Sequence, residues 1–140
     1  MCKTRKAVWR CWAVALVLAS IVLATGCGKA TGEVELDAGD NGSQVTVEKG
    51  QTLVVTLNSN PTTGYLWEMV PADDGILEQV GEAQFNENPR SKGKVGAGGT
   101  ETLRFEAKRT GQTRLELVYH RPWEQGEKPL ETFAVQVTVE

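Results

Sequence analysis

The stretch TRLELVYH, residues 113–120, decides the fold. Thr113, Leu115, Leu117 and Tyr119 fall at every second position, with charged or polar residues between most of them. That period belongs to an extended strand with one face buried. The same period recurs to either side. Val34 and Leu36 alternate in EVELD, and Val45 and Val47 in SQVTVE. Leu53, Val55 and Leu57 alternate in QTLVVTLN, with Thr52 and Thr56 on the other face. Tyr65, Trp67 and Met69 alternate in YLWEMV, and ILEQV is a weaker candidate. Leu103, Phe105 and Ala107 alternate in ETLRFEAK, and Phe133, Val135, Val137 and Val139 in TFAVQVTV. No segment carries a sustained helical stripe, and no internal repeat is visible.

Turn signals separate these runs: DNG, EKG, SNPTTG, PADDG, NENPRSKGKVGAGG, KRTG and RPWEQGEKP. Seven to eight short strands, each with one apolar face, predict an all-β fold, an immunoglobulin-like antiparallel β-sandwich. A small closed barrel is the competing architecture. Trp67 suits the sandwich core.

The chain of 140 residues is long enough for one domain. Its start carries Lys3, Arg5, Lys6 and Arg10 and no acid, followed by the uncharged CWAVALVLASIVLATGCG. A basic start, an apolar run of roughly 15 residues and then small residues predict a signal peptide over 1–26. The run is shorter than the about 20 residues of a membrane span, and an uncleaved anchor is the alternative. LATGC, ending at Cys27, resembles the bacterial lipobox, with Ala24 where a larger aliphatic residue is usual. The resemblance implies lipidation of Cys27 and an exported lipoprotein, anchored in a membrane and facing the periplasm or cell exterior. Ordinary cleavage nearby is the alternative. Residues 27–32 read as a tether, and 33–140 as the folded domain.

Loss of residues 1–26 would leave 11 basic against 18 acidic residues, a balance of −7. Such a surface argues against nucleic acid and anionic lipid as partners, since both need a basic face. Cys2, Cys11 and Cys27 all precede the folded part, so neither a disulfide framework nor a thiolate metal site is expected. His120 is the single histidine, which leaves no multi-histidine zinc site. It reads as a satisfied or solvated residue at a strand end. No cofactor is expected. A GxSxG elbow and a cysteine nucleophile are both missing from the folded part, which reads as a non-enzyme.

Lettering the strands A to G, with the two N-terminal runs as a split A, gathers the B–C, D–E and F–G connections at one end. These are the unusual ones. In the B–C loop, Pro61 fixes its own backbone and restricts Asn60. Thr62 and Thr63 are stiff at χ1, and Gly64 permits a positive φ and a close approach by another backbone. The result is a blunt tip, or simply a tight structural turn. The D–E loop, Lys92 to Thr100, holds four glycines and reads as flexible. It lacks the following helix of a phosphate cradle. In the F–G loop Trp123 follows a proline among charges, away from any alternating run. Exposed Trp beside Arg121 matches the residue types enriched at interface hot spots.

Together, NPTTGY at 60–65, VGAGGT at 95–100 and RPW at 121–123 resemble the signature loops of the chagasin-like inhibitors of papain-family cysteine peptidases. The resemblance spans nearly all of 33–140. It implies an immunoglobulin-like sandwich acting as a reversible, monomeric inhibitor that occludes the peptidase cleft. It implies a peptidase-binding set of Asn60, Pro61, Thr62, Thr63, Gly64 and Tyr65 in the centre. Gly96, Ala97, Gly98 and Gly99 would cover one side, and Arg121, Pro122 and Trp123 the other. Thr63 would sit nearest the catalytic residues of the peptidase, Trp123 would pack on an aromatic surface and Arg121 would donate hydrogen bonds. The rival reading of the residues is an exported adhesion or carbohydrate-binding sandwich, with Trp123 stacked on a sugar.

Overall fold

A computed structural model describes residues 32–140. The expected signal peptide, Cys27 and nearly all of the tether lie outside the described residues. Nine strands form two facing sheets: β1 (Glu33–Asp37), β2 (Gln44–Val47), β3 (Thr52–Ser59), β4 (Leu66–Met69), β5 (Leu77–Gln79), β6 (Gln84–Glu87), β7 (Gly99–Ala107), β8 (Gly111–His120) and β9 (Glu131–Val139). One sheet has the order β1-β3-β7-β5, with β6 also pairing to β7; the other runs β2-β9-β8-β4. The sandwich is therefore as the alternation predicts, and the strands lettered B, C, E, F and G are β3, β4, β7, β8 and β9.

The inward residues of the alternating runs make the core. Leu103, Phe105 and Ala107 of β7 are buried with Leu115 and Leu117 of β8 and Phe133, Val135 and Val137 of β9. Trp67 joins them at 4% exposure. Burying such side chains is worth roughly 1.5–3 kcal/mol each, and this supplies the driving force for the fold.

Two features differ from expectation. First, the strand count is nine, because Gln84–Glu87 forms β6, where no separate strand was expected: its second half overlaps the loop signal that starts at Asn86. All four of its residues are exposed, so no in–out alternation marks it; only its pairing with β7 makes it a strand. Second, the sheets are mixed and not purely antiparallel. β1 pairs β3 in parallel, and β2 pairs β9 in parallel. The two N-terminal runs, read as a split first strand, divide between the two sheets. The chain turns after β1 through Ala38–Asp40, where Asp37 and Asp40 form a capping box, and β2 returns in the other sheet. β1 and β3 thus both run toward the same pole.

That pole carries the β3–β4, β6–β7 and β8–β9 connections. Ser59 pairs with Gly99, Leu66 with His120 and Tyr119 with Glu131 at this end. At the far pole, Glu33 pairs with Thr52, and the backbone of Glu140 bonds to Val47 and Lys49. The far pole is also tied across the sheets. Asp74, in the β4–β5 connection, accepts hydrogen bonds from the Thr113 hydroxyl and from the Ile76 backbone N–H at 2.9 Å. The Thr113 bond first, then the Ile76 bond, hold its carboxyl below the ordinary aspartate range.

Candidate functional site

The β3–β4 connection forms the centre of the loop-bearing pole. Pro61–Thr63 make one turn of 3-10 helix, which Pro61 starts and Gly64 ends at φ +82°. Proline suits the first position because its φ is already set and its missing N–H would have no partner there. Glycine suits the end because a left-handed φ crowds any Cβ. The turn then satisfies itself. The Thr63 N–H donates to the Asn60 carbonyl at 3.1 Å, and the Gly64 N–H to the Pro61 carbonyl at 3.0 Å. The Thr62 hydroxyl donates to Asn60 Oδ1, and the Thr63 hydroxyl to the Asn60 carbonyl, both at 2.6 Å. Pro61, Thr62 and Thr63 remain exposed, so the outermost point is uncharged, small and already ordered.

The β8–β9 connection braces this tip from one side. Arg121 Nε donates to the Thr63 carbonyl at 3.0 Å, and Nη1 pairs with Glu124 at 3.0 Å. Its guanidinium carbon lies 4.4 Å from the centroid of the Tyr65 ring, within the range of a cation–π contact. Two of the five N–H donors of Arg121 are thus used inside the chain, a role its residue type alone did not reveal. Trp123 is 66% exposed, and its indole rests on Gly64. A Cβ built at Gly64 would lie 2.3 Å from a carbon of that ring. Gly64 was expected to admit another backbone; within this chain the group that lies against it is the Trp123 side chain. Pro122 is exposed between the two.

The β6–β7 connection stands on the other side. The Asn60 side-chain amide donates to the Gly96 carbonyl at 3.3 Å, which joins this arm to the tip. The arm is a succession of turns, not a loose loop. Asn88 caps Pro89–Ser91 by accepting from the Arg90 N–H, Lys94 N–H donates to the Ser91 carbonyl, and Ala97 N–H to the Lys94 carbonyl. Arg90, Lys92, Lys94 and a fully exposed Val95 project from it. Gly98 approaches the Ser59 backbone, and Gly99 is the first residue of β7, not part of the loop. A Cβ at Gly99 would lie 2.0 Å from the Asn86 carbonyl oxygen, so glycine is required for β6 to lie against β7 here.

The structure therefore brings together all of the expected positions: 60–65 in the centre, 96–99 on one side and 121–123 on the other. Reading the sequence missed the layer beneath them. Tyr119, buried, stacks between Tyr65 and Trp67 at centroid distances of 5.3 and 5.0 Å. Its hydroxyl accepts the Asn60 N–H at 2.8 Å, and the Trp67 indole N–H donates to the Asn58 carbonyl at 2.9 Å. Glu101, also buried, accepts from the Ser59 hydroxyl at 2.8 Å. A signal for Glu101 was present: it is in phase with Leu103, Phe105 and Ala107 and so must face inward. His120, at the end of β8, lies 2.7 Å from the Glu68 carboxylate, as befits a paired strand-end residue.

The surface so assembled offers shape, not reactivity: a stiff hydroxyl-bearing tip, an exposed indole and a cationic arm. The sequence model of a family described as chagasin family peptidase inhibitor I42 matches residues 46–137. Chagasin of Trypanosoma cruzi is 36% identical over 99 residues, covering 68% of this chain and 87% of the relative. Amoebiasin-1 of Entamoeba histolytica is 30% identical over 107 residues, covering 76% of this chain and 100% of the relative. The crystal structure of the cysteine protease inhibitor EhICP2 from Entamoeba histolytica superposes with a TM-score of 0.68 at 24% identity. That alignment covers 81% of this chain and 100% of the other, and shows a common fold.

Proposed function

The chain belongs to the chagasin family of peptidase inhibitors; it is an inhibitor of cysteine peptidases and not an enzyme, and we propose that it works by lowering its three-loop pole into the cleft of a papain-family peptidase. The observation that carries this reading is the mutual bracing of the loops. Thr63 is held by Arg121, Gly64 is covered by Trp123, and Asn60 is bonded to Gly96.

A peptidase cleaves a backbone that lies extended through its cleft. Residues 61–63 instead present a closed 3-10 turn whose own hydrogen bonds hold it bent. The tip fills the space in front of the catalytic cysteine and histidine with Thr62 and Thr63. Gly64 keeps the rear of the tip thin, and no peptide bond is offered in the geometry that acylation needs. Trp123 packs on an apolar or aromatic wall of the cleft. The arm around Gly96 to Gly99 covers the opposite wall. Because the tip is ordered in advance, little conformational entropy is lost on docking. A standard interface of about 1,600 Å² then suffices for tight, reversible binding.

The binding unit is a single chain. Its location follows from the leader: export, and attachment through a lipid on Cys27. Support comes from the position of Gly32 and Glu33, which lie at the pole opposite the loops, beside Thr52. A tether from that end directs the tip away from the membrane.

The purified protein is expected to inhibit papain-like cysteine peptidases in a reversible titration and to leave serine peptidases active. Full activity of every papain-like enzyme in a panel, at a large excess of the protein, would refute the proposal.

A further inference from the structure

We infer that Glu101 is a positioning residue for the peptidase-binding tip, its buried carboxylate clamping together the two legs of the β3–β4 loop; the inference rests on the proposed mode of inhibition.

Glu101 lies opposite Leu57 in the β3–β7 pair and is 6% exposed. One oxygen, Oε2, accepts from the Ser59 hydroxyl at 2.8 Å and from the Trp67 backbone N–H at 3.4 Å. Ser59 is the last residue of β3, and Trp67 the second residue of β4. These strands belong to different sheets. A single oxygen atom therefore ties the strand that delivers the tip to the strand that takes it away, directly under residues 60–65. Among the described residues no Lys or Arg nitrogen lies within salt-bridge distance of this carboxylate.

Packing alone does not explain the placement: an apolar side chain in phase with Leu103 and Phe105 would fill the site without leaving a polar group to be satisfied. What an apolar residue cannot do is accept the two N–H and O–H donors that face inward from the loop legs. The bond from Asn60 N–H to the Tyr119 hydroxyl begins one residue beyond Ser59, and the self-bonded turn begins one residue beyond that. Loosening Ser59 and Trp67 releases the base on which all later contacts are built.

The test uses the intact protein, with Glu101→Leu, Glu101→Gln, Ser59→Ala and a remote core control, Val137→Ala. Inhibition constants, melting temperatures and amide hydrogen exchange are measured for each. Glu101→Leu is expected to raise the inhibition constant about tenfold or more. Glu101→Gln, whose amide oxygen can accept both donors, is expected to stay within about threefold of the parent. Val137→Ala lowers the melting temperature yet leaves the inhibition constant unchanged. Exchange at the Thr63 and Gly64 amides accelerates in Glu101→Leu and not in Val137→Ala. Should Glu101→Leu fail to fold, Ser59→Ala, which removes the shorter bond, is read in its place. Parental inhibition and parental tip exchange in Glu101→Leu, or in Ser59→Ala where it is read in its place, would overturn the inference. So would Val137→Ala weakening inhibition as much as Glu101→Leu. If the parent protein inhibits no peptidase, the functional proposal fails, and the exchange data still decide whether Glu101 holds the tip.

Discussion

At Gly64 two constraints meet. The backbone sits at φ +82°, where a side chain costs about 1–2 kcal/mol, and the Trp123 indole occupies the space a Cβ would need. Gly64→Ala therefore strains the tip and pushes the indole off its seat at once. Trp123→Ala removes an exposed aromatic of hot-spot type, for which a loss of about 2 kcal/mol or more is expected. Both changes should weaken inhibition by at least about tenfold, with the Gly64 variant also melting lower. Since they disrupt the same contact, the double variant should lose less than the sum of the two. Strict additivity in inhibition constants would show that the indole and the glycine act separately. Legibility differed among these residues. The residue types at 121–123 and the glycine at 64 were legible as candidates for a binding surface, but the inward turn of Arg121 onto Tyr65 and Thr63 depends on partners 56 and 58 positions away in the chain.

Among the elements, the strands with a buried face were legible from their period, β5 only weakly, and β6 was not. Alternation reports burial, and a strand whose every residue is exposed has no burial to report. Its neighbour Gly99 could be seen as a glycine but not as the first residue of a strand, because the need for it comes from the Asn86 carbonyl. The connection between β4 and β5 carries its own prediction. Its Asp74 is bonded to Thr113 of β8 and has a lowered pKa, so the native state favours its ionised form. The stabilisation it gives is complete above the unfolded-state pKa of about 3.9, and is lost as pH falls through the lower folded-state value. Asp74→Asn is expected to lower the melting temperature near neutral pH and to flatten its decline below about pH 4. Parallel melting curves for the two proteins across that range would rule out this contribution.

For the whole molecule, the arrangement of poles is the main result: three loops at one, both ends of the described chain at the other. With a lipid on Cys27 the far pole faces the membrane. Cys27→Ser should move the protein from the membrane to the soluble fraction on cell fractionation, without changing its inhibition constant. Retention in the membrane fraction would point to the uncleaved anchor instead. By itself the sequence determined the all-β class, the inward residues, the three loops of interest and their common end. The first three follow from side-chain period and local turn chemistry, which act between near neighbours, and the common end from the reversal of direction at each connection of an immunoglobulin-like sandwich. Only the tertiary structure decided that β1 and β2 lie in different sheets with parallel partners, that Trp123 rests on Gly64, and that Glu101 holds the legs of the tip. Any strand with one apolar face can pair with many others, and a polar side chain can bond to any donor within reach. The choice among them is made by packing the two sheets together, and no local stretch of residues contains it.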